Sequence, residues 1–190
     1  MIDLLQDALE VQTFCDAQGW SYCFIGGLAV QRWSEVRVTR DIDVALLTGF
    51  GHEESFIDSL LERFAARRAD AKAFALRSRV LLLESKLSNG IDISMAALPF
   101  EESAIARASL FEFAPGLTLR TCSAEDLMVM KLFASRAIDL RDAEGIAVRN
   151  GALLDWEYVE TQLGPLAELK EAPEIMQTLA RIRAGNFTSW

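Results

Sequence analysis

Asp41-Ile42-Asp43 and, further along, Asp92 in Gly90-Ile91-Asp92-Ile93-Ser94 are the residues whose types and spacing can do chemistry. In an extended segment Asp-x-Asp puts both carboxylates on one face, because strand side chains alternate with period two, and Ile42 points into the opposite layer. Adjacent carboxylates repel each other and are costly unless a cation lies between them. Hard divalent ions with oxygen ligands, Mg²⁺ above all, suit such a pair. A solvated edge strand is the plain alternative. The run straight into Val44-Ala45-Leu46-Leu47 argues instead for a strand entering a core, where unpaired charge is expensive. Asp92 is flanked by isoleucines that must face away from it, so it is either exposed on a polar face or joined to the first pair. Three carboxylates from two strands can hold two metal ions ~4 Å apart, the arrangement used for in-line phosphoryl and nucleotidyl transfer. Asp92 would then activate an attacking hydroxyl while one ion is held by Asp41 and Asp43.

Upstream, Phe24-Ile25-Gly26-Gly27 closes an apolar strand and opens a helix. Backbone N–H groups at such a turn can approach a phosphate closely, and the helix N-terminus favours negative charge. Taken alone, two glycines mean only a tight turn. Arg32, Arg37 and Arg40 lie between the glycines and the aspartates, where one or two could grip a triphosphate. A second basic group, Arg67, Arg68, Arg77 and Arg79, is either a set of solvated charges or a landing surface for a polyanionic acceptor. Lys131 sits among Leu127, Met128, Met130, Leu132 and Phe133; its amine needs a partner if buried, or it snorkels off the helix edge.

The elements that must position these residues are legible from periodicity. Residues 3–18 carry a helical apolar pattern closed by Gly19, Tyr22 to Ile25 a short strand, and Leu28 to Trp33 a short helix. Asp41 to Leu47 reads as a strand and Glu53 to Ala69 as an amphipathic helix. Val80–Leu83 and Ile91–Met95 read as strands joined through Asn89-Gly90, a strong hairpin signal. Phe100 to Leu110 is expected to be helical and Leu117 to Thr121 a strand. Ser123 caps a helix with Asp126 three residues on, a capping box with Asp in the usual Glu or Gln position. Asp139–Val148 and Trp156–Leu169 follow as helices. The expected fold class is α/β (α+β): a small mixed sheet flanked by helices over residues 1–120, with a helical region over 121–190 packed on that core.

Composition narrows the chemistry further. The chain has 190 residues, 51% of them hydrophobic and 25% charged, enough for a buried core and too apolar for disorder. Twenty-eight acids against 19 Lys and Arg give a net charge of −9, which counts against a passive nucleic-acid coat. No apolar run approaches the ~20 residues of a membrane span, so no membrane partner is expected. The acidic start lacks the basic region of a secretion signal, and cytoplasmic location is the default. His52 is the only histidine and reads as a loop or helix-start residue; Cys15, Cys23 and Cys122 read as buried small hydrophobes. Histidine-based zinc sites and Ser-His-Asp triads therefore have little to work with. Trp156, Tyr158 and Trp190 could serve an interface, though core packing suits the first two better.

Apolar-Gly-Gly, a spacer, Asp41-Ile42-Asp43 and a later strand-borne Asp92 resemble the signature of the DNA polymerase β-like nucleotidyltransferase superfamily. Within it, the segment Glu125-Asp126 … Lys131 … Arg136 … Asp139-Leu140-Arg141-Asp142 resembles the AbiEii-like group of minimal nucleotidyltransferases, many of them toxins of toxin–antitoxin pairs. The resemblance implies that Gly26 and Gly27 cradle a nucleoside triphosphate; Arg40, by its place before Asp41, and Arg136 are the further candidates for binding it. It implies Asp41, Asp43 and Asp92 as ligands of two Mg²⁺ ions. Lys131 would contact phosphate, with Asp139 or Asp142 orienting Lys131 or Arg136. The commoner superfamily form is Gly-Ser, whose hydroxyl can touch a phosphate; Gly27 offers only its N–H. The implied activity is transfer of a nucleoside monophosphate to an acceptor hydroxyl: a tRNA 3′ end, a protein or a small molecule. An antitoxin protein would be a partner if the chain is a toxin. A catalytically inactive nucleotide-binding or interaction module on the same fold is the alternative. A phosphodiesterase or nuclease is less attractive, since it lacks a water-activating histidine.

Overall fold

The computed structural model describes residues 2–188, so Trp190 lies outside the described residues. The described residues divide into two units: 2–28 with 38–122, and 29–37 with 123–188.

The first unit is built on one mixed seven-stranded sheet in the order β3-β4-β5-β2-β1-β7-β6. Its strands are β1 (Tyr22–Phe24), β2 (Asp41–Leu47), β3 (Ala65–Ala66), β4 (Val80–Glu84), β5 (Gly90–Ala96), β6 (Ser109–Ala114) and β7 (Leu117–Thr121). The apolar run in β2 earns that strand the central place. Ile42, Val44 and Leu46 are fully buried on the face opposite the aspartates, as are Ile91 and Ile93 of β5. Helix α1 (Ile2–Ala17) closes the core with Leu4, Leu5, Ala8, Val11 and Cys15, a helical stripe facing the sheet. Helix α2 (Gly26–Trp33) starts at the glycine turn, followed by α3 (Glu53–Arg63), α4 (Ala71–Ser78) and α5 (Pro99–Ala106).

Three local expectations change. The Glu53–Ala69 helix ends at Arg63, where Phe64 turns extended (φ −121°, ψ 148°), and Ala65–Ala66 pair with β4. Burying the Phe64 ring against Phe14 outweighs one more helical turn. The Phe100–Leu110 helix stops at Ala106, and Ser109–Ala114 forms an edge strand in which Phe111 and Phe113 meet edge to face at 4.9 Å. Asn89-Gly90 is not a two-residue hairpin turn either. Glu84 pairs with Gly90, the loop spans 85–89, and Ser88 takes the positive φ of 62°. Asp7, buried on α1, holds that loop by accepting hydrogen bonds from Ser85 Oγ and from Asn89 Nδ2. The anchor matters because the loop leads directly into Asp92.

The second unit is helical: residues 29–33 of α2, with α6 (Ala124–Ala134), α7 (Ala137–Asn150), α8 (Trp156–Leu169) and α9 (Glu174–Arg183). Ser123 caps α6 by accepting the Asp126 N–H at 3.1 Å and donating to its carboxylate at 2.6 Å. The other Asp126 oxygen accepts the Tyr158 hydroxyl at 2.7 Å, so this fully buried acid is hydrogen-bonded on both sides. Trp156 donates its indole N–H to the Gly151 carbonyl at 3.0 Å. No helix of the described residues is long and apolar enough to cross a membrane.

Candidate active site

Parallel pairing of β2 with β5 aligns Asp41 with Gly90 and Asp43 with Asp92. The alternation of each strand then puts all three carboxylates on one face, at the centre of the sheet. A Cβ on Gly90 would lie 2.2 Å from Asp41 Oδ1 and 2.9 Å from an Arg67 Nη, so a side chain there would displace both groups.

Arg67 is the cation that this acidic face has recruited. Its guanidinium is hydrogen-bonded to Asp92 and lies 3.9 Å from Asp41. Burial pushes the Asp92 carboxyl above its ordinary value, Arg67 opposes that rise, and the neighbouring Asp41 charge adds to it. Asp43 is engaged elsewhere: one of its oxygens accepts the Gly27 N–H at 3.3 Å, while Ile25 N–H bonds to the Asp43 carbonyl at 2.9 Å. The Gly27 amide in the first turn of α2 is thus tied to the acid that sequence reading joins to the metal set.

Gly26 takes the left-handed conformation, φ +54°, and a Cβ there would lie 2.0 Å from Asp43 Oδ2. Only glycine satisfies both demands. Gly26→Ala should therefore cost about 1–2 kcal/mol in backbone strain alone and push Asp43 off Gly27. A thermal melt should show a fall of several degrees; an unchanged midpoint would contradict this reading of the turn.

The fit to divalent cations can be judged on these residues. The donors are hard carboxylate oxygens on one face, and the position already draws a cation in Arg67. As the side chains stand, with Arg67 on Asp92 and Asp43 on Gly27, no three ligating side chains among the described residues converge on one point. The donor chemistry fits, and seating an ion requires Arg67 to leave.

Arg68, Arg77 and Arg79 are engaged by acids. Arg68 bonds to Asp70 at 2.9 Å, Arg77 approaches Asp70 at 3.7 Å, and Arg79 pairs with Glu53 while donating to the Met95 and Gly49 carbonyls. Exposed Arg40 lies beside Asp41 in sequence. In the second unit, buried Lys131 reaches Asp139 at 3.0 Å and Asp142 at 2.8 Å. Arg136 bonds to Asp139, and Arg37 makes a two-pronged bond to Asp142 at 2.9 Å on each arm. Burial pushes the Asp139 carboxyl up, but the Arg136 and Lys131 hydrogen bonds outweigh it and hold it below its ordinary value. His52 stands at the start of α3 without a side-chain cap, and Cys15, Cys23 and Cys122 are buried and form no disulfide among the described residues.

Sequence reading places Arg67 in a basic cluster and does not single out Thr39, whose side chain lies against Gly27. Thr39 did leave a signal, since it precedes Asp41 by the strand period. Nothing local reveals that Arg67 turns back to β5.

Comparison with known proteins bears on the chemistry. A family model described as "Nucleotidyltransferase of unknown function (DUF6036)" matches residues 1–175. No curated protein matches the chain. Among solved structures, an antigenic nucleotidyltransferase-like protein from Paracoccidioides brasiliensis is 14% identical, with 94% of this chain and 93% of that one covered and a TM-score of 0.51. The lincosamide antibiotic adenylyltransferase LnuA, lincomycin-bound, is 15% identical over 74% of this chain and 94% of its own, with a TM-score of 0.51. ANT(2")-Ia in complex with adenylyl-2"-tobramycin is 18% identical over 89% and 98%, with a TM-score of 0.52. At such identities the likeness is one of fold.

Proposed function

The chain belongs to this family of nucleotidyltransferases of unknown function, and from that premise we propose that it transfers a nucleoside monophosphate from a nucleoside triphosphate to a hydroxyl of a small-molecule acceptor. The observation that carries the proposal is the alignment of Asp43 with Asp92 and the placement of Asp41 on the same face of β2. Asp41, Asp43 and Asp92 would hold Mg²⁺ ions, which when bound supply charge neutralisation at the phosphates and a more acidic acceptor hydroxyl. Gly26 and Gly27 admit the triphosphate to the start of α2, whose amides and dipole favour its charge. Asp92, set between Asp43 and the arginine, accepts the proton of the attacking hydroxyl. Arg40 and the freed Arg67 guanidinium offset charge on the departing pyrophosphate. In the second unit we assign Lys131 and Arg136 to phosphate contact, oriented by Asp139 and Asp142.

The small-molecule acceptor is favoured by three observations. The solved structures of similar fold include a lincosamide antibiotic adenylyltransferase, lincomycin-bound, and ANT(2")-Ia in complex with adenylyl-2"-tobramycin. The chain carries a charge of −9, and the Arg67–Arg79 group is neutralised by the chain's own acids. A second reading, an RNA 3′ end as acceptor with a toxin role and an antitoxin partner, rests on the AbiEii-like pattern from Glu125 to Asp142. Incubation with each of four α-labelled nucleoside triphosphates and Mg²⁺, with total RNA or with a panel of aminoglycosides, lincosamides and polyols, separates them. Label on a small molecule supports the proposal, and label on RNA moves the assignment to the second reading. Binding without transfer in every arm would mean an inactive module.

Arg67 and the cations compete for the same acids. Removing the guanidinium in Arg67→Gln should therefore tighten Mn²⁺ binding, by about fivefold for a partly exposed ion pair. An electron paramagnetic resonance titration reads this directly; weaker Mn²⁺ binding in the variant would make Arg67 a support of the cation site rather than its competitor.

A further inference from the structure

Gly26 and Gly27 are glycines for different reasons. Gly26 needs its positive φ, whereas Gly27 has no such conformation and is held to glycine by space alone. A Cβ on Gly27 would lie 2.3 Å from Thr39 Oγ1, 2.6 Å from Thr39 Cβ and 3.1 Å from Thr39 Cγ2. The Thr39 side chain fills the volume into which a residue at position 27 would project. It is short and β-branched, with few rotamers open to it, so it cannot simply swing aside.

We propose that the Thr39 hydroxyl is a phosphate-binding group: it occupies the space into which a side chain on residue 27 would project and donates to the triphosphate at the start of α2. The proposal rests on the nucleotidyltransferase reading and names a residue that the reading had not assigned. Thr39 Oγ1 donates at 3.3 Å to the Asp41 carbonyl, which is long for a hydroxyl bond. An anionic phosphate oxygen is the better acceptor, because hydrogen bonds to charged partners are shorter and about twice as strong. The same side chain stands against the first turn of α2 at Gly27, whose N–H faces Asp43, and two residues before Asp41. The hydroxyl is therefore placed between the amides that receive a phosphate and the acids that would hold its cations. The steric relation also makes an exclusive choice: a side chain at 27 and the threonine at 39 cannot occupy that volume together.

The test is isothermal titration of the full chain with ATP and with inorganic tripolyphosphate, in Mg²⁺. Thr39→Val keeps the shape and removes the hydroxyl, and should weaken both ligands about tenfold, the size of one hydrogen bond to a charged group. Thr39→Ser restores the hydroxyl and should bind within about twofold of the wild type on the same reasoning. Gly27→Ser alone should lower the melting temperature and the affinity by colliding with Thr39. The double variant Gly27→Ser, Thr39→Ala should regain both relative to either Gly27→Ser or Thr39→Ala. Equal binding by Thr39→Val and the wild type would overturn the proposal and leave Thr39 a filler. A wild type that binds neither ligand would overturn the proposal and the nucleotidyltransferase reading together. Wild-type binding without transfer, with Thr39→Val weakened, would uphold Thr39 and remove only the transfer step.

Discussion

Asp43→Asn is expected to lower nucleotidyl transfer by about 10²–10³-fold while leaving the fold intact. The magnitude follows from the several kcal/mol of charge stabilisation that a carboxylate-held cation supplies, at about 1.4 kcal/mol for each factor of ten. Asp43 is the most exposed to this loss because it has two duties. It lies beside Asp92 across the β2–β5 pair, and its oxygen accepts the Gly27 N–H at 3.3 Å. Asparagine keeps the volume and can still accept that N–H through its amide oxygen, so the charge alone is removed. A single-turnover label-transfer assay beside a thermal melt separates the two duties. Loss of transfer with an unchanged melt is the expected outcome, and transfer within about threefold of the wild type would be far below the expected several kcal/mol and contradict the role.

Lys131→Met carries the largest expected cost in stability. Lys131 is 6% exposed and Asp139 and Asp142 are 1% and 3% exposed, so the acids depend on internal cations for their charge. Removing the amine leaves Arg136 on Asp139 and Arg37 on Asp142, a partial compensation that puts the loss near the low end of a broken buried pair, about 3 kcal/mol. For a chain of this size that is roughly a 6–12 °C fall in melting temperature. The pH dependence has a definite sign. Asp139 is held below its ordinary value of 3.8, so its contribution is full above that pH and disappears as the pH falls through the lower folded value. The wild type should therefore lose stability in acid below about pH 4, and Lys131→Met should lose less over the same interval. A melt of the variant at neutral pH that matches the wild type would show that the amine is solvated rather than locked in the network.

The contrast between these two residues shows what periodicity can and cannot reveal. Asp41 and Asp43 were readable because a strand imposes its alternation on any sequence, and the apolar run behind them marked β2 as central. That Asp92 belongs with them was readable only as chemistry. The register that sets it beside Asp43 comes from pairing two strands far apart in the chain. The same distance hides Arg37 on Asp142 and Arg67 on Asp92, since a charged side chain carries no local mark of its partner. The Asn89-Gly90 pair misleads because Gly90 opens β5 and pairs with Glu84, so the connection is the longer 85–89 loop. Helix α4 and strand β6 were not anticipated either. α4 buries only Ala71 and Ala75, and most of β6 lies on an exposed edge, so neither shows a strong apolar period.

Anomalous diffraction from crystals grown with Mn²⁺ and a non-hydrolysable nucleoside triphosphate analogue tests the shared cation site most directly. The account predicts manganese peaks bounded by oxygens of Asp41, Asp43 and Asp92, the Arg67 guanidinium withdrawn from Asp92, and the triphosphate lying along Gly26 and Gly27. A bound nucleotide with Arg67 still seated on Asp92 and no manganese on that face would contradict it.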